Sequence, residues 1–439
     1  MATTNFTAGT VIASSWLNDV DNMTYDNVVN VKASTYGAVG DGVTSDTAAI
    51  QAALTAGAGK SVYIPSGTYL VNNLTVPADT VVFGDGYGTQ LKKNANGDVL
   101  NLGRRSQLQN LSINGDGANY TGVGVLIEAA GVDTIDNISW RRGSNIDIYN
   151  TASYCLQFDG NSAGYSSQFE NCRFVPTSYA TYAIKMANNG GVLETGGNRM
   201  FTNCWSFAAR FADLTDAENT NITGCHGFWP LFTSTTHKAS IVGGRMNLYD
   251  ANAILTGTAN VVVGTTINYN GGAALTISAN CVNCRFDGNA IGSGATVTDS
   301  SDGNTSGNEI HIPRKIYTPT WAGTGGSPTI GNGSIGGSYV RRGSLVTVNM
   351  FLLPGSTTNF DSSTSWTFSA PYIASRRSVG AAYMLDSGTA RYVGAVVIEG
   401  SGQTFSVYVP GAGAAIGYNQ PMTWANSDTL HFDIEYEIQ

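Results

Sequence analysis

The sequence predicts an all-β protein. The expected architecture is a solenoid of stacked β coils with a short capping helix near its start and an antiparallel β-sandwich after it. Three observations carry this reading. Glycine makes up 54 of 439 residues and charged residues only 12%, against about 25% charged in an ordinary soluble protein. A weak repeat, built around a column of Asn or Gly, runs from Leu108 to Phe286. Beyond residue 317 the pattern changes to separate strand-like runs divided by Gly, Pro, Asn and Ser turns.

Composition also excludes partners. The net charge is −9 and no basic run occurs, which argues against nucleic acid. No apolar run reaches the ~18 residues of a membrane span, and no signal peptide opens the chain, so neither membrane insertion nor signal-directed export is expected. Work outside a cell then implies another route, such as assembly into a virion.

Residues 1–30 are mostly polar, apart from Gly9-Thr10-Val11-Ile12 and Trp16-Leu17-Asn18-Asp19-Val20. Trp16 and Leu17 need a partner surface, so this segment reads as an adaptor rather than a frayed end.

The stretch Val31–Leu91 organises the rest of the chain. Gly37, Gly40 and Gly42 permit tight left-handed turns. Ser45 is the expected N-cap, with Asp46 in the first turn of a helix whose apolar stripe is Ala49, Ile50, Ala53 and Leu54. Val62-Tyr63-Ile64 then reads as a strand, ended by Pro65-Ser66-Gly67. A short amphipathic helix before many short strands suits the plugging of a solenoid's open end.

The residues Tyr36-Gly37-Ala38-Val39-Gly40-Asp41-Gly42, Asp46–Ala53, Ile64-Pro65-Ser66-Gly67-Thr68-Tyr69 and Gly84-Asp85-Gly86 resemble the start of the pectate-lyase-like, right-handed parallel β-helix of phage tail spikes. The two N-terminal pieces look like the short virion adaptor of phage tail proteins. The resemblance implies a β-helix over residues 31–316, a homotrimer, and attachment to a phage tail or baseplate protein through residues 1–30. The same opening serves lyases, hydrolases and inactive binders, so it does not name a reaction.

Eight pieces make up the repeat. They are Leu108–Ile113, Ile135–Trp140, Phe169–Phe174, Phe201–Ser206, Ile222–Gly227, Ile241–Met246, Val262–Ile267 and Cys281–Phe286. Their Asn-or-Gly column is 110, 137, 171, 203, 224, 243, 264 and 283, with steps of 27, 34, 32, 21, 19, 21 and 19. The late steps suit one bare coil, and the long early ones imply inserted loops. The Asn or Gly is read as a corner. Residues just after it point inward, and those two after it point outward.

Cys172, Cys204, Cys225 and Cys284 therefore fall in one inward column and Cys281 in the other. Buried free thiols explain the cysteines better than disulfides do. Cys281-Val282-Asn283-Cys284 has no second pair to complete a metal site, and the four His have no metal-ligand spacing. No metal or cofactor is expected. Gly57-Ala58-Gly59-Lys60-Ser61 imitates a phosphate loop, but Leu54 stands where glycine is needed and the helix precedes the strand. Gly160-Asn161-Ser162-Ala163-Gly164 lacks the α/β sheet of a nucleophile elbow.

Residues 287–312 are rich in Gly, Ser, Asn and Asp and read as a boundary. The sandwich is expected over 317–439, with strand-like runs at Leu345–Leu353, Ser365–Phe368, Tyr392–Ile398, Thr404–Val409 and Thr429–Ile438. Tyr317–Trp321, Asn332-Gly333 and Tyr339–Val348 look like the C-terminal sandwiches of phage tail proteins, which implies trimerisation or glycan binding.

The outward column after the corner contains Arg173, Trp205, His226 and Arg245, an aromatic and cationic run suited to stacking on sugar rings and binding acidic groups. Glycoside hydrolysis needs two carboxylates about 5–9.5 Å apart. Asp136 and Glu170 share a column in the repeat, and neighbouring coils lie about 4.8 Å apart. Glu194, Asp213, Asp216 and Glu218 are further candidates. Together with the resemblance, which implies a phage tail spike, these residues lead to the expectation of a protein that binds and depolymerises a bacterial surface polysaccharide (capsule, O-antigen or exopolysaccharide) by hydrolysis. A lyase on the same scaffold, with His226 as base and Arg173 or Arg245 neutralising a uronate, is the alternative. Others are a non-catalytic receptor-binding tail protein and a structural spacer.

Overall fold

The computed structural model describes residues 27–128, 140–159, 166–177, 182–186, 198–215, 217–248, 253–269, 274–292, 295–300 and 308–439. The chain divides into two compact units. One comprises Met1–Ile254, Thr265–Leu275 and Gly292–Ala295, and the other comprises Leu255–Gly264, Thr276–Ile291 and Thr296–Gln439.

The first unit is a parallel β-helix with three sheets. The first sheet stacks Val28–Asn30, Ser61–Ile64, Val81–Gly84, 107–109, 142–144, Gln168–Glu170, Arg199–Thr202, Thr220–Thr223 and Ser240–Val242. The second stacks Gly67–Val71, Thr89–Lys93, 112–114, 147–149, Arg173–Val175, 205–206, His226–Phe228, Arg245–Leu248 and Thr266–Tyr269. The third stacks Leu74–Val76, Leu100–Leu102, Val125–Glu128, Leu156–Asp159, Tyr182–Met186 and 210–213. Val28–Asn30 thus form a rung, and residues 1–26 of the expected adaptor lie outside the described residues.

One helix, α1 (Thr47–Ala56), buries Ile50, Ala53 and Leu54. It closes the solenoid through a specific contact. The Gln51 side chain accepts from Thr75 N (2.8 Å) and donates to Thr75 O (3.1 Å), satisfying the edge of the first strand of the third sheet as a neighbouring rung would. The N-cap is Asp46, not Ser45, which ends the strand Asp41–Ser45. The buried Asp46 carboxylate makes no capping bond and instead accepts Val39 N and Gly40 N at 2.7 and 3.1 Å. Gly40 has φ +69°, and a Cβ there would strike the Tyr69 ring at 2.7 Å.

The Asn-or-Gly corner is a column of left-handed residues. Asn110, Asn145, Asn171 and Asn203 have φ of 51–52°, and Gly224 and Gly243 have 64° and 66°. Asn and Gly are the residues that visit this region at least cost. Two corner side chains are bonded across rungs, Asn145 Nδ2 donating to Asn110 Oδ1 at 3.1 Å.

One rung differs from the sequence reading. The piece paired with Leu108–Ile113 is Gly143–Ile148, not Ile135–Trp140, so the corner is Asn145 rather than Asn137. Residues 135–139 lie outside the described residues. Packing explains why this rung was missed. Its first inward residue is Gly143, whose absent side chain leaves room for Phe169 from the next rung. A Cβ there would lie 2.4 Å from the Phe169 ring.

Phe158, Phe169, Phe174, Phe201 and Phe211 are fully buried, and Phe169 stacks on Phe201 with centroids 5.7 Å apart. Each such ring contributes roughly 1.5–3 kcal/mol of burial. All six cysteines are free and buried. In the first unit their thiols donate back to carbonyls, Cys204 Sγ to Phe169 O at 3.4 Å and Cys225 Sγ to Phe201 O at 3.3 Å.

The second unit begins with parallel rungs, Val261–Val263 on Arg285–Asp287 on the start of Glu309–Tyr317. The strand Glu309–Tyr317 then pairs antiparallel with Ser334–Arg342, crossing the boundary expected after residue 316. From there one antiparallel ladder continues through Leu345–Leu353, Thr429–Glu437, Ser378–Asp386, Ala390–Ile398, Thr404–Tyr408, Trp366–Ser369 and Trp321–Gly323. Phe368 and Phe432 lie four ladder steps apart, about 19 Å if the sheet were flat. Their ring centroids are 6.2 Å apart. The ladder therefore curls around its own core, which includes Met350, Trp366, Phe405 and Tyr436.

Candidate functional site

The outer face of the second sheet brings aromatic and cationic side chains together. Its outward column reads Gln90, Ser112, Asp147, Arg173, Trp205, His226, Arg245 and Thr266, one residue per rung. Arg173, Trp205, His226 and Arg245 occupy successive rungs as the repeat predicts, about 4.8 Å apart. Arg285 belongs to the second unit.

Asp147 stands below Arg173 where the sequence reading put Ser139. It is 2% exposed and takes both nitrogens of one edge of the Arg173 guanidinium. Nε reaches Oδ1 at 2.6 Å, and Nη2 reaches Oδ2. That bonding raises the guanidinium above its ordinary value. Arg173 also lies over the Tyr149 and Trp205 rings, at 5.9 and 6.0 Å from their centroids. Tyr149 Oη accepts from Gln90 Nε2 at 2.6 Å. Burial, followed by the Asp147 charge, pushes the Tyr149 phenol up.

The register shifts between Trp205 and Arg210, which pair with His226 and Phe228. This bulge sets Phe207 beside Trp205, stacked at 5.7 Å and 23°. The two rings are 51% and 40% exposed. His226 and Arg245 are exposed, and among the described residues neither makes an ion pair. The result is an aromatic shelf with a fixed cation on one side and two unengaged basic side chains on the other.

Of the expected carboxylates, Glu170, Asp213 and Glu218 lie among the described residues. Asp136, Glu194 and Asp216 lie outside the described residues, as does Gly160–Gly164. Glu170 is exposed at the end of its first-sheet strand. Its in-register neighbour on the preceding rung is Ser144, where the repeat had put Asp136. Asp213 ends a third-sheet strand and accepts Thr215 N and Oγ1 at 3.0 and 2.7 Å, a local turn. Glu218 is held by Lys238 Nζ at 2.9 Å. The structure does place two other carboxylates in register. Glu128 and Asp159 end adjacent strands of the third sheet, both pointing outward. The alternation in Val125–Glu128 and Leu156–Asp159 was legible, but the pairing needed the register.

One cation-ligand grouping occurs among the described residues, in the second unit. Asp287, Glu309 and His311 bring ligand atoms within 4.8 Å of one another. Arg285 already bridges the two carboxylates, at 2.8 Å to Asp287 and 3.2 Å to Glu309. Arg285 and then His311 hold the Asp287 carboxyl below the usual range.

Residues 28–101 match the family described as rhamnogalacturonase A/epimerase, pectate lyase-like. A comparison with curated proteins gave no match. Among solved structures the chain is similar to ORF18 of Geobacillus virus E2, at TM-score 0.52 and 15% identity over 91% of this chain and 80% of that one. It is also similar to the Dettilon tailspike protein gp208, at TM-score 0.40 and 14% identity over 94% of both chains. A third is tailspike gp49 of Acinetobacter baumannii bacteriophage Fri1, a capsular polysaccharide depolymerase, at TM-score 0.35 and 11% identity over 94% and 87%. The chain is therefore a parallel β-helix protein whose opening rungs match a pectate-lyase-like family and whose fold is shared with a viral protein.

Proposed function

We propose that this protein is a phage tail spike that binds and depolymerises a bacterial surface polysaccharide. The Trp205–Phe207 shelf carries the reading. Two stacked, half-exposed aromatic rings on a rigid outer sheet, flanked by Arg173, His226 and Arg245, suit a chain of sugar rings bearing acidic groups. The tail location is supported by the resemblance of residues 9–20 and 317–348 to phage tail proteins and by the fold shared with a viral protein. In this reading residues 1–30 attach the protein to the virion and three copies assemble. Light scattering at the mass of a single 46.0 kDa chain would remove the trimer.

Cleavage is read as hydrolysis by two carboxylates. Glu170 is exposed and ends the strand just before Arg173, while Glu128 and Asp159 are adjacent in register, at the rung spacing that suits a retaining pair. Elimination is the second reading, favoured by one observation: His226 and Arg245 are neighbours in register, so a base and a carboxylate-neutralising cation adjoin.

The test is reducing-end release from purified capsule, O-antigen and exopolysaccharide, run beside whole-cell binding, for the native protein and Trp205→Ala. Removing the indole should weaken binding by about 0.5–1.5 kcal/mol, the scale of an aromatic pair. Binding without release assigns the protein to receptor recognition. Unaltered binding and release in Trp205→Ala would remove the shelf from the site.

A further inference from the structure

We infer that the second unit carries its own sugar-binding pocket, on the outer face of its antiparallel ladder. For its ligand class the inference rests on the polysaccharide reading above, but not on the Trp205 site.

A cavity of about 490 Å³ opens over four neighbouring strands, Glu309–Tyr317, Ser334–Arg342, Leu345–Leu353 and Thr429–Glu437. That volume falls within the range of small-ligand sites. Two rows of side chains cross its floor. One is polar, with Ser338, Asn349 and Asp433 in register. The other is aromatic, with Phe351 and His431 in register and their ring centroids 6.4 Å apart. The aromatic row exists because its next member is Gly336. A Cβ at Gly336 would lie 2.9 Å from the Phe351 ring, so the glycine lets that ring lie across the neighbouring strand.

The polar groups are only partly used. Asn349 Nδ2 donates to Asp433 Oδ1. Among the described residues, Asp433 Oδ2 and the His431 ring nitrogens have no hydrogen-bond partner, and Arg314, which also lines the cavity, forms no ion pair. An apolar protein surface docked here would bury these groups unsatisfied, at a cost for each. A sugar ring answers both rows, its C–H face covering Phe351 and its hydroxyls pairing with Asp433, Asn349 and His431. A unit with adjacent free hydroxyls matches the side-by-side carboxylate and amide.

The experiment uses the full-length protein and oligosaccharides prepared by partial acid hydrolysis of a capsule whose cells the protein binds. Binding is read by saturation-transfer NMR and calorimetry for the native protein, Phe351→Ala, Asp433→Asn and Trp205→Ala, with circular dichroism confirming the fold of each. Phe351→Ala is expected to weaken binding about two- to tenfold, the range that an aromatic contact converts to. Asp433→Asn, which keeps the shape of the side chain, should weaken it in the same direction. If Trp205→Ala weakens binding while neither pocket variant does, the pocket inference fails and the polysaccharide reading stands. If the native protein binds no oligosaccharide, both fail. If Phe351→Ala leaves binding intact but changes the mass seen by light scattering, the face is a subunit contact and the inference is overturned.

Discussion

Arg173 lies across Asp147 of the preceding rung, both ends of its guanidinium edge bonded to a carboxylate that is almost wholly covered. The guanidinium itself remains 41% exposed at its side chain. The pair therefore presents a fixed cation to the surface while hiding the anion that fixes it. Removing either partner should show this asymmetry. Arg173→Ala strands a buried carboxylate, and Asp147→Asn frees an exposed guanidinium. Chemical denaturation should give the larger loss for Arg173→Ala, about 1–3 kcal/mol after allowance for the exposed partner. Equal losses would mean that the carboxylate is better solvated than its burial implies.

Replacement of carboxylates separates catalysis from architecture. Glu128→Gln and Asp159→Asn should abolish oligosaccharide release while leaving cell binding nearly intact, since such groups act mainly in the transition state. Glu170→Gln is the parallel test of the exposed first-sheet carboxylate. Glu218→Gln should instead lower stability by up to about 1 kcal/mol through its pair with Lys238 and leave turnover unchanged. Full release in the Glu128, Asp159 and Glu170 variants would count against these carboxylates as the hydrolytic groups and make His226→Ala the decisive variant for elimination.

The corner column makes a backbone prediction. Asn145 holds φ +52° and donates to Asn110. Asn145→Ala loses the side-chain bond and places a methyl group in a left-handed residue, costing about 1–2 kcal/mol. Asn145→Gly should recover much of that cost because glycine is unstrained there. Thermal melting of the two variants measures the difference. Equal melting would place the cost in the lost Asn145–Asn110 bond alone.

Alkaline pH should destabilise the solenoid through Cys155. Burial pushes this thiol from an ordinary 9.0 up to about 12. The unfolded chain therefore releases the proton first. The contribution to stability is complete below about pH 9 and is lost as pH rises toward about 12. Cys155→Ala should flatten the decline of stability between pH 9 and 11, and the native thiol should resist alkylation until the protein is denatured. Rapid labelling of Cys155 in the folded protein at pH 8 would contradict its burial.

Much of the fold was legible because its rule is local. A left-handed corner needs Asn or Gly, and alternation on either side of it separates inward from outward residues, so residues 110, 171, 203, 224 and 243 mark their own rungs. The same rule carried Arg173, Trp205, His226 and Arg245 to one face, and carried Cys172, Cys204 and Cys225 inward. It failed at the rung of Asn145, where the inward residue is Gly143 and the space is filled by Phe169 from the next coil. No local signal reports a void that a distant ring fills. That failure put Asp136 where Ser144 stands and Ser139 where Asp147 stands, so the neighbour of Glu170 on the preceding rung is Ser144.

Long insertions hide register in the same way. Glu128 and Asp159 lie 31 residues apart in sequence but one rung apart in space, and only backbone pairing relates them. The second unit repeats the lesson. Alternation in Leu345–Leu353 and Thr429–Glu437 announces two strands. That they lie side by side, with Asn349 against Asp433 and Phe351 against His431, results from a ladder that pairs strands far apart in sequence, Asn349 and Asp433 being 84 positions apart. The sequence alone determined which side chains face outward, because alternation and turn chemistry act over a few residues. Tertiary structure decided which of them meet, because register depends on how inserted lengths and missing side chains are absorbed across the coil.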